Sequence, residues 1–282
     1  MAVSPAATLV QALEPLRSDP SNAAVLLDVD GTLAPIVEHA EDAHVPEATR
    51  SLLIEVTKRY GLVACVSGRR AQAARQIVAI GSIAYVGNHG GELLAPGSTK
   101  TELLDPAIAS WGERVAEFAQ QVYTPHLRTL RVRFEDKGII VAFHWRSARD
   151  EDEAEAALRE LAGSAEQQGL AVHWGRKVLE VRPPVTLEKG RGIAALFDEV
   201  LARRGSESAS ADSGFAAAMY VGDDLTDIDA FRELRRMVAE GSLGFALCVA
   251  VASDEAPAEL VETADVVMDG PNDVRGLLAA LL

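Results

Sequence analysis

The stretch Ala23-Ala24-Val25-Leu26-Leu27-Asp28-Val29-Asp30-Gly31-Thr32-Leu33 decides the fold. It opens with an apolar run, which is typical of a parallel strand that is buried on both faces of a sheet. Two carboxylates, Asp28 and Asp30, follow at the end of this strand, and Gly31 allows the chain to turn sharply away. Open α/β sheets bind their ligands beyond the carboxyl ends of the strands. The stretch therefore predicts a ligand site at this point.

Asp28 and Asp30 also predict a metal ion. Two buried acids side by side repel each other, and a divalent cation offsets the repulsion. Oxygen-rich carboxylate sites favour Mg²⁺. An Asx-type turn after a strand is the alternative for an isolated Asp-x-Asp-Gly. A calcium loop is disfavoured, because its further ligands and its closing Glu are missing at the required offsets.

Length and composition set the class of protein. The chain has 282 residues, of which 48% are hydrophobic, enough for one large domain or two modest ones. We find no apolar stretch long enough to span a membrane, and no secretory signal in Met1–Pro20. Cys65 and Cys248 each lie in an apolar run, which predicts buried free thiols rather than a disulfide. Together these features predict a cytoplasmic protein.

The charge of the chain limits its partners. The formal net charge of −15 argues against binding to nucleic acid or to an anionic membrane. It does not exclude a small anionic substrate, because local cations can reverse the field within a cleft.

Apolar strand-like runs recur along the chain, with helical patterns between several of them. The strand-like runs are Ala23–Leu27, Leu62–Val66, Ile83–Val86, Ala217–Val221 and Phe245–Val251. The helical patterns include Pro46–Tyr60 and Arg69–Ile80. Strands that alternate with helices form right-handed crossovers and a mostly parallel sheet. The sequence therefore predicts an α/β fold with a doubly wound parallel sheet.

The middle of the chain has a different pattern, helix, hairpin, helix, hairpin. The corresponding segments are Pro106–Tyr123, Leu130–Glu135 with Gly138–Arg146, Asp150–Gln168, and Ala171–Trp174 with Lys177–Arg182. This order predicts an α+β domain at 106–183, inserted into a core formed by 1–105 and 184–282. Pro183-Pro184 suits a hinge between them. We also expect a flexible surface loop at Gly205–Phe215.

Polar side chains follow two further predicted strands. Ser67-Gly68-Arg69 comes after Leu62–Val66, where a hydroxyl and the backbone amides that open a helix suit a phosphoryl oxygen. Taken alone, Ser67 is more simply read as a helix N-cap. Gly222-Asp223-Asp224-Leu225-Thr226-Asp227 comes after Ala217–Val221. An acidic helix N-terminus explains Asp227 well, but it explains Asp223 and Asp224 poorly.

Lys189 lies at the predicted start of a helical run that continues through Arg191–Arg204. A cation at a helix N-terminus is unfavourable against the helix dipole. Pairing with carboxylates and a phosphate would explain this position. Considered alone, an exposed lysine is the better interpretation.

These clusters together resemble the haloacid dehalogenase superfamily of phosphotransferases. The shared motifs are Asp-x-Asp-Gly-Thr at Asp28–Thr32, Ser67, Lys189, and Gly-Asp-Asp-x-x-Asp at Gly222–Asp227. The resemblance implies a haloacid dehalogenase core of Rossmann-like topology, with the inserted domain as a cap that determines substrate specificity.

The resemblance also implies a role for each residue. Asp28 is the expected nucleophile and Asp30 the general acid and base. Asp28, the main-chain carbonyl of Asp30 and Asp223 are expected to hold Mg²⁺. Ser67, Gly68 and Lys189 are expected to bind the phosphoryl oxygens. Asp224 and Asp227 are expected to support the metal or orient Lys189.

Further motifs resemble those of trehalose-6-phosphate phosphatases, from about Ala24 onward. They are Asp-Gly-Thr-Leu-Ala-Pro at Asp30–Pro35, Gly87-Asn88-His89-Gly90-Gly91-Glu92, Glu135-Asp136-Lys137, His144-Trp145-Arg146, and Gly175-Arg176-Lys177-Val178-Leu179-Glu180-Val181-Arg182-Pro183. The resemblance implies trehalose 6-phosphate as the substrate. The sequence does not give the oligomeric state, and a monomer is favoured. The expected substrate-binding residues are Arg69, Asn88, His89, Glu135, Lys137, Arg176 and Glu180.

Two departures from the family pattern concern the sugar contacts. Trp145 replaces the usual Tyr, and Arg176 stands where the family generally has Lys. Arg keeps the charge but changes the hydrogen-bond geometry. A phosphatase for another sugar phosphate, such as sucrose 6-phosphate or a glycosyl phosphoglycerate, is therefore an alternative. A regulatory module without turnover ranks lower, because the residues expected to act as nucleophile, acid and metal ligand are all present.

Overall fold

The computed structural model describes residues 5–37, 42–175, 177–207, 214–253 and 257–282. The chain divides into two compact units. We call Met1–Glu102 with Glu188–Leu282 the core unit and Leu103–Leu187 the inserted unit. The boundaries that the sequence predicts, at 105/106 and 183/184, fall a few residues away from these.

The helices and strands follow in chain order. Up to the inserted unit they are α1 (Pro5–Ser18), β1 (Ala23–Leu27), α2 (Glu47–Arg59), β2 (Leu62–Val66), α3 (Ala71–Val78), β3 (Ala84–Gly87), β4 (Glu92–Leu94) and β5 (Glu102–Leu103), which crosses the boundary. The inserted unit has α4 (Ala107–Val122), α5 (Pro125–Thr129), β6 (Arg133–Asp136), β7 (Val141–His144), α6 (Glu151–Gln167), β8 (Ala171–Gly175) and β9 (Val178–Arg182). The core unit resumes with α7 (Lys189–Glu207), β10 (Ala217–Gly222), α8 (Asp227–Ala239), β11 (Ala246–Ala252), α9 (Ala258–Thr263), β12 (Val266–Asp269) and α10 (Pro271–Ala280).

The sheet of the core unit is mostly parallel. Its strand order over the described residues is β12-β11-β10-β1-β2-β3-β4-β5. β1 lies in the middle, parallel to β10 on one side and β2 on the other, and all three strands are fully buried. β4 is antiparallel to β3. The predicted α/β fold with a parallel sheet is confirmed.

Helices pack on both faces of this sheet, which makes it doubly wound. On one face, alternate residues of β1 share a core with apolar side chains of α1, α2 and α10, such as Leu13, Leu53 and Leu277. On the other face, the ring of Tyr220 lies 5.9 Å from the ring of Phe231 in α8. The continuous apolar runs of the strands follow from this burial on two sides. Cys65 and Cys248 are buried free thiols, as predicted.

The inserted unit has an antiparallel sheet of order β6-β7-β9-β8, with one apolar face. Phe143, Leu179 and Val181 on that face share a core with apolar residues of α4 and α6. The predicted order of helices and hairpins is found, but the strands of the first hairpin differ from the prediction, and the second of them spans Val141–His144 rather than Gly138–Arg146. The first strand begins at Arg133 rather than Leu130, because Arg131 has a φ of +60° and breaks the extended run.

Helix boundaries in the core unit also differ from those predicted. α3 begins at Ala71 rather than Arg69. α7 runs from Lys189 to Glu207, so the first residues of the predicted loop Gly205–Phe215 are helical, and residues 208–213 lie outside the described residues. Within the described part of the chain, none of the helices has the length and apolar character needed to cross a membrane.

Candidate active site

Four polar side chains come from neighbouring elements at the carboxyl edge of the core sheet. Asp28 follows β1, Ser67 follows β2 and Asp223 follows β10, and these strands are adjacent and parallel. Lys189 is the first residue of α7. Parallel neighbours end at the same edge of a sheet, which is where such folds bind their ligands.

Lys189 is buried between two carboxylates. Its Nζ donates to Asp28 Oδ1 at 2.6 Å and to Asp227 Oδ1 at 2.7 Å, and the Lys189 residue is only 3% exposed. Burial by itself lowers the pKa of Lys189, but Asp227 and Asp28 raise it above its usual value. These two acids explain why a lysine is stable at a helix N-terminus.

Asp227 fixes both Lys189 and the turn after β10. Asp227 Oδ1 also accepts a hydrogen bond from the hydroxyl of Tyr220. Its Oδ2 accepts the backbone N–H groups of Asp223 and Asp224, each at 2.9 Å. Each oxygen of this buried carboxylate therefore accepts from two donors. Of the two supporting acids that the sequence predicts, Asp227 contacts Lys189, whereas Asp224 is exposed and its side chain accepts from Leu225 N–H.

Tyr220 is a site residue that the sequence analysis did not predict. It lies within an apolar strand and reads as a core residue, and its ring is indeed fully buried. Burial raises the pKa of Tyr220 well above its usual value, so the hydroxyl remains a donor. The only feature of the sequence that could have pointed to this role is a tyrosine within a buried strand, two residues before Gly222.

The acids at this edge fit a divalent cation. Oxygen atoms of Asp28, Asp223 and Asp227 all lie within 4.8 Å of one another. With Lys189 as their neighbouring cation, these three carboxylates leave two negative charges to be offset. Burial raises the pKa of Asp28 to about 8, against the effect of Lys189. Burial, followed by the charge of Asp28, raises the pKa of Asp223 to about 9.

Asp28 and Asp223 are better placed than Asp227 to bind the cation, because both oxygens of Asp227 already accept hydrogen bonds. Gly31 allows Asp223 to approach β1. A Cβ atom at Gly31 would lie 2.0 Å from Asp223 Oδ2, and φ at Gly31 is +86°. Carboxylate oxygens of this kind suit Mg²⁺.

Asp30 is oriented by Arg69. Arg69 Nε donates to Asp30 Oδ2 and Arg69 Nη2 to Asp30 Oδ1, each at 2.6 Å. This bidentate pair joins the turn after β1 to the turn after β2. Arg69, which the sequence predicts as a substrate contact, thus holds the carboxyl group of the predicted general acid.

Ser67 is buried and does not cap α3. Its Oγ accepts the N–H of Arg69 at 3.1 Å, and Arg70 occupies the N-cap position. Glu92 Oε2 instead accepts the N–H of Ala71 at 3.0 Å, in the first turn of the helix. The helix therefore does not require the Ser67 hydroxyl as a cap.

The turn at Asn88 and His89 supports the Ser67 segment. Both residues have positive φ, and Asn88 is fully buried. His89 N–H donates to the carbonyl of Ser67 at 3.1 Å. The His89 ring lies directly against Gly68, since a Cβ atom at Gly68 would be 2.6 Å from His89 Nε2. These two residues therefore lie beside the predicted phosphate-binding segment.

The predicted sugar-binding residues of the inserted unit lie together on the polar face of its sheet. Glu180, which is only 5% exposed, accepts from Lys137 Nζ at 2.7 Å and from Arg182 Nε at 2.9 Å. Glu135 pairs with Nε2 of His144 at 2.8 Å, and that hydrogen bond lowers the pKa of Glu135 to about 2. Arg176 lies outside the described residues.

A search of protein families matches residues 26–259 to the family described as trehalose-phosphatase. The chain belongs to the trehalose-phosphatase family. The match covers both units and all of the candidate site residues described above.

Curated relatives of this chain carry names of the same family. The chain is 28% identical over 212 residues to a rice (Oryza sativa subsp. japonica) protein named probable trehalose-phosphate phosphatase 4, which covers 75% of this chain. It is 32% identical over 247 residues, 85% of the chain, to the trehalose-phosphate phosphatase of Mycobacterium marinum. The chain spans only part of these relatives, 55% of the rice protein and 60% of the mycobacterial one.

Solved structures share the fold. The C-terminal domain of the Candida albicans trehalose-6-phosphate phosphatase matches with a TM-score of 0.71 at 20% identity, covering 99% of this chain and 97% of that one. The C-terminal domain of a C. albicans trehalose synthase regulatory protein matches with a TM-score of 0.69 at 14% identity, covering 95% of this chain and 97% of that one. A haloacid dehalogenase-like hydrolase from Bacteroides thetaiotaomicron matches with a TM-score of 0.57 at 14% identity, covering 92% of this chain and 98% of that one. The predicted haloacid dehalogenase fold is therefore confirmed.

Proposed function

We propose that this protein is a Mg²⁺-dependent phosphatase that hydrolyses trehalose 6-phosphate to trehalose and phosphate through an aspartyl-phosphate on Asp28. The observation that carries the proposal is the buried Lys189 between Asp28 and Asp227, next to Asp223, in a chain that matches the trehalose-phosphatase family. A fold shared with a regulatory protein does not by itself imply turnover, so the proposal depends on this cluster.

Asp28 is the proposed nucleophile. One of its carboxylate oxygens attacks phosphorus, and the bond from phosphorus to the sugar oxygen breaks. Lys189, bound to Asp28 Oδ1, favours the anionic form of this carboxylate against the effect of burial, and aims it. Ser67, the backbone at Gly68, and Lys189 bind the phosphoryl oxygens and offset the charge that develops on them.

Asp30 is the proposed acid and base. It gives a proton to the departing sugar oxygen, then takes one from the water that attacks the aspartyl-phosphate. That second attack releases phosphate and restores the Asp28 carboxylate. The bidentate contact with Arg69 fixes the position of the Asp30 carboxyl group.

Asp28, the main-chain carbonyl of Asp30, and Asp223 would hold the Mg²⁺ ion. When bound, the ion offsets the repulsion between the anionic nucleophile and the anionic phosphate. Asp227 keeps Lys189 and the Asp223 turn in place, whereas Asp224 has a lesser role at the surface.

The inserted unit is the proposed cap, and its polar face recognises the sugar. Sugar hydroxyls need both donors and acceptors, which Lys137, Glu135 and Glu180 supply. Arg69, Asn88, His89 and Arg176 complete the proposed substrate-binding set. The cap closes over the sugar and excludes water from the reaction.

The proposed function also concerns where the protein acts and what it binds. The two buried free thiols are compatible with the reducing cytoplasm, and we propose that the protein acts there as a monomer. The substrate is its expected partner. With a net charge of −15, neither nucleic acid nor an anionic membrane is a proposed partner.

The test is phosphate release from trehalose 6-phosphate with Mg²⁺, compared with glucose 6-phosphate, sucrose 6-phosphate and an EDTA control. The proposal predicts metal-dependent release that is selective for trehalose 6-phosphate. Release that is equally fast from all three would refute the substrate but not the chemistry. The absence of release from every ester would refute the proposed activity.

A further inference from the structure

A cavity of about 310 Å³ opens in the core unit beside the carboxyl edge of the sheet. The turn after β1, the first turn of α2, the end of β11 and the first turn of α10 form its walls. Gly31 and Asp223 border it, but none of the phosphate-binding or sugar-binding residues proposed above lines it. Its volume is at the lower end of the range for small-molecule sites.

Two helices begin at this cavity, and neither has a side-chain cap. The N-cap residue is Pro46 for α2, which has 13 residues, and Gly270 for α10, which has 10. Without such a cap, N–H groups of the first helical turn are left for other partners, and each helix N-terminus carries partial positive charge. Two N-termini at one cavity therefore favour an anion.

The acidic residues of these first turns are engaged elsewhere. Glu47 of α2 pairs with Arg50 and accepts from the hydroxyl of Ser51. Asp273 of α10 accepts the N–H of Asp269 at 3.0 Å. Neither acid lines the cavity, so neither occupies the position of an anionic ligand.

Thr49 is the second and independent sign of a ligand. It lies in the first turn of α2, lines the cavity and is only 3% exposed. Its hydroxyl makes no hydrogen bond to the described residues, and the hydroxyl oxygen is open to the cavity rather than fully enclosed. An acceptor bound in the cavity would take this hydrogen bond in place of water.

Arg275 supplies a full positive charge. It lies on α10, lines the cavity, and forms no ion pair with any of the residues that the structure describes. A guanidinium group binds carboxylate and phosphate oxygens in a bidentate manner. Among the described residues that line the cavity, Asp223 is the acidic side chain, and it lies at the metal-binding edge.

The rest of the cavity wall is largely apolar. Pro35, Pro271 and Ile36, which is 62% exposed, contribute to it. The volume of the cavity corresponds to about ten water molecules at ~30 Å³ each, more than an inorganic oxyanion fills. Apolar walls and the spare volume favour a ligand with a carbon body.

We propose that this cavity binds a small organic anion, a phosphorylated or carboxylated metabolite. Its oxyanion meets Arg275, the Thr49 hydroxyl and the N-termini of α2 and α10. Its carbon atoms lie against the two prolines and Ile36. The proposal concerns binding alone, and it holds whether or not the proposed phosphatase activity is found.

The test uses backbone amide NMR of the full isotope-labelled chain, titrated with 3-phosphoglycerate in EDTA, which prevents metal-dependent turnover. Arg275→Gln removes the charge and Thr49→Val removes the hydroxyl. Arg236→Gln is the matched control, because Arg236 is an exposed arginine that pairs with Glu233 and Glu240 away from the cavity. It changes the net charge by the same amount. A parallel titration with sulfate measures binding of an inorganic oxyanion.

We expect saturable shifts at the amides of residues 47–49 and 272–275. Affinity should fall at least tenfold in Arg275→Gln, fall in Thr49→Val, and stay unchanged in Arg236→Gln. Sulfate should bind at the same amides at least tenfold more weakly. Shifts confined to Ser67 and Lys189, or equal affinity in wild type and Arg275→Gln, would overturn the site. Sulfate binding as tight as that of 3-phosphoglycerate would overturn the organic ligand.

Discussion

The hydroxyl of Tyr220 is expected to contribute to catalysis although it touches no reacting atom. It is one of the two donors to Asp227 Oδ1, and the other is Lys189. Tyr220→Phe keeps the ring packed against Phe231 and removes only the hydroxyl. Asp227 then holds Lys189 with one constraint fewer, so Lys189 is less well aimed at Asp28.

The size of the effect follows from the type of bond. A hydrogen bond to a charged group contributes about 1.5–3 kcal/mol to stability, and one to a neutral group about 0.5–1.5 kcal/mol. We therefore expect Tyr220→Phe to lower the free energy of unfolding by about 2 kcal/mol. If roughly half of this free energy, about 1 kcal/mol, is also lost from the stabilisation of the transition state, kcat falls about fivefold, since about 1.4 kcal/mol corresponds to a tenfold change in rate.

Tyr60→Phe is the matched control. The Tyr60 hydroxyl is buried and donates to the neutral carbonyl of Leu281 at 3.0 Å, among residues that take no part in the site. Urea unfolding and steady-state phosphate release on both variants separate the two roles. Tyr60→Phe should lose about 1 kcal/mol of stability with kcat unchanged. A Tyr220→Phe variant with wild-type kcat would refute the positioning role.

Three other predictions concern thiols and the inserted unit. Burial raises the pKa of the Cys65 thiol, and it raises that of the Cys248 thiol to about 12. Neither thiol should therefore react with a disulfide reagent at about pH 8 until the protein unfolds. Rapid labelling of the folded protein would contradict this burial. Glu180→Gln should raise KM for trehalose 6-phosphate about tenfold, whereas Glu151→Gln, at an exposed ion pair, should not; equal KM values would remove Glu180 from the sugar site. Glu135→Gln should lower stability at pH 7 by about 1 kcal/mol, a figure reduced for solvent screening. Folding lowers the pKa of Glu135 from 4.5 to about 2. The stabilisation from this carboxylate is therefore fully present above pH 4.5 and is lost as the pH falls toward 2. Urea unfolding at pH 7 and 3.5 checks this, and an equal difference at both pH values would contradict it.

The strands and the chemistry at their ends were predictable because both depend on local sequence. β1 and β2 were predicted with their observed bounds, since a short apolar run that ends in polar residues is a strong signal. The short strands β4 and β12 and the short helix α5 were not predicted. They contain too few residues for a period to emerge, and pairing or packing with distant parts of the chain stabilises them.

The contacts between the motifs were less predictable than the motifs themselves. Asp30 and Arg69 lie 39 residues apart, and nothing in either turn indicates that they form a bidentate pair. Tyr220 has the pattern of a core residue, because its ring is one and only its hydroxyl belongs to the site. Glu92 was found within a motif, but its hydrogen bond to Ala71 N–H depends on how β4 returns beside β3. Such contacts arise from tertiary packing.

The most direct test of the account is phosphate release from trehalose 6-phosphate by Asp28→Asn. A carboxamide cannot form the aspartyl-phosphate, so we expect kcat to fall at least ~10³-fold, with the fold retained by circular dichroism. Asp229→Asn is the control, since Asp229 is a nearby acid on α8 that pairs with Arg232 outside the cluster. Its kcat should stay within about twofold of wild type. An Asp28→Asn protein that keeps more than about a tenth of wild-type kcat would contradict the nucleophilic role of Asp28 and the mechanism built on it.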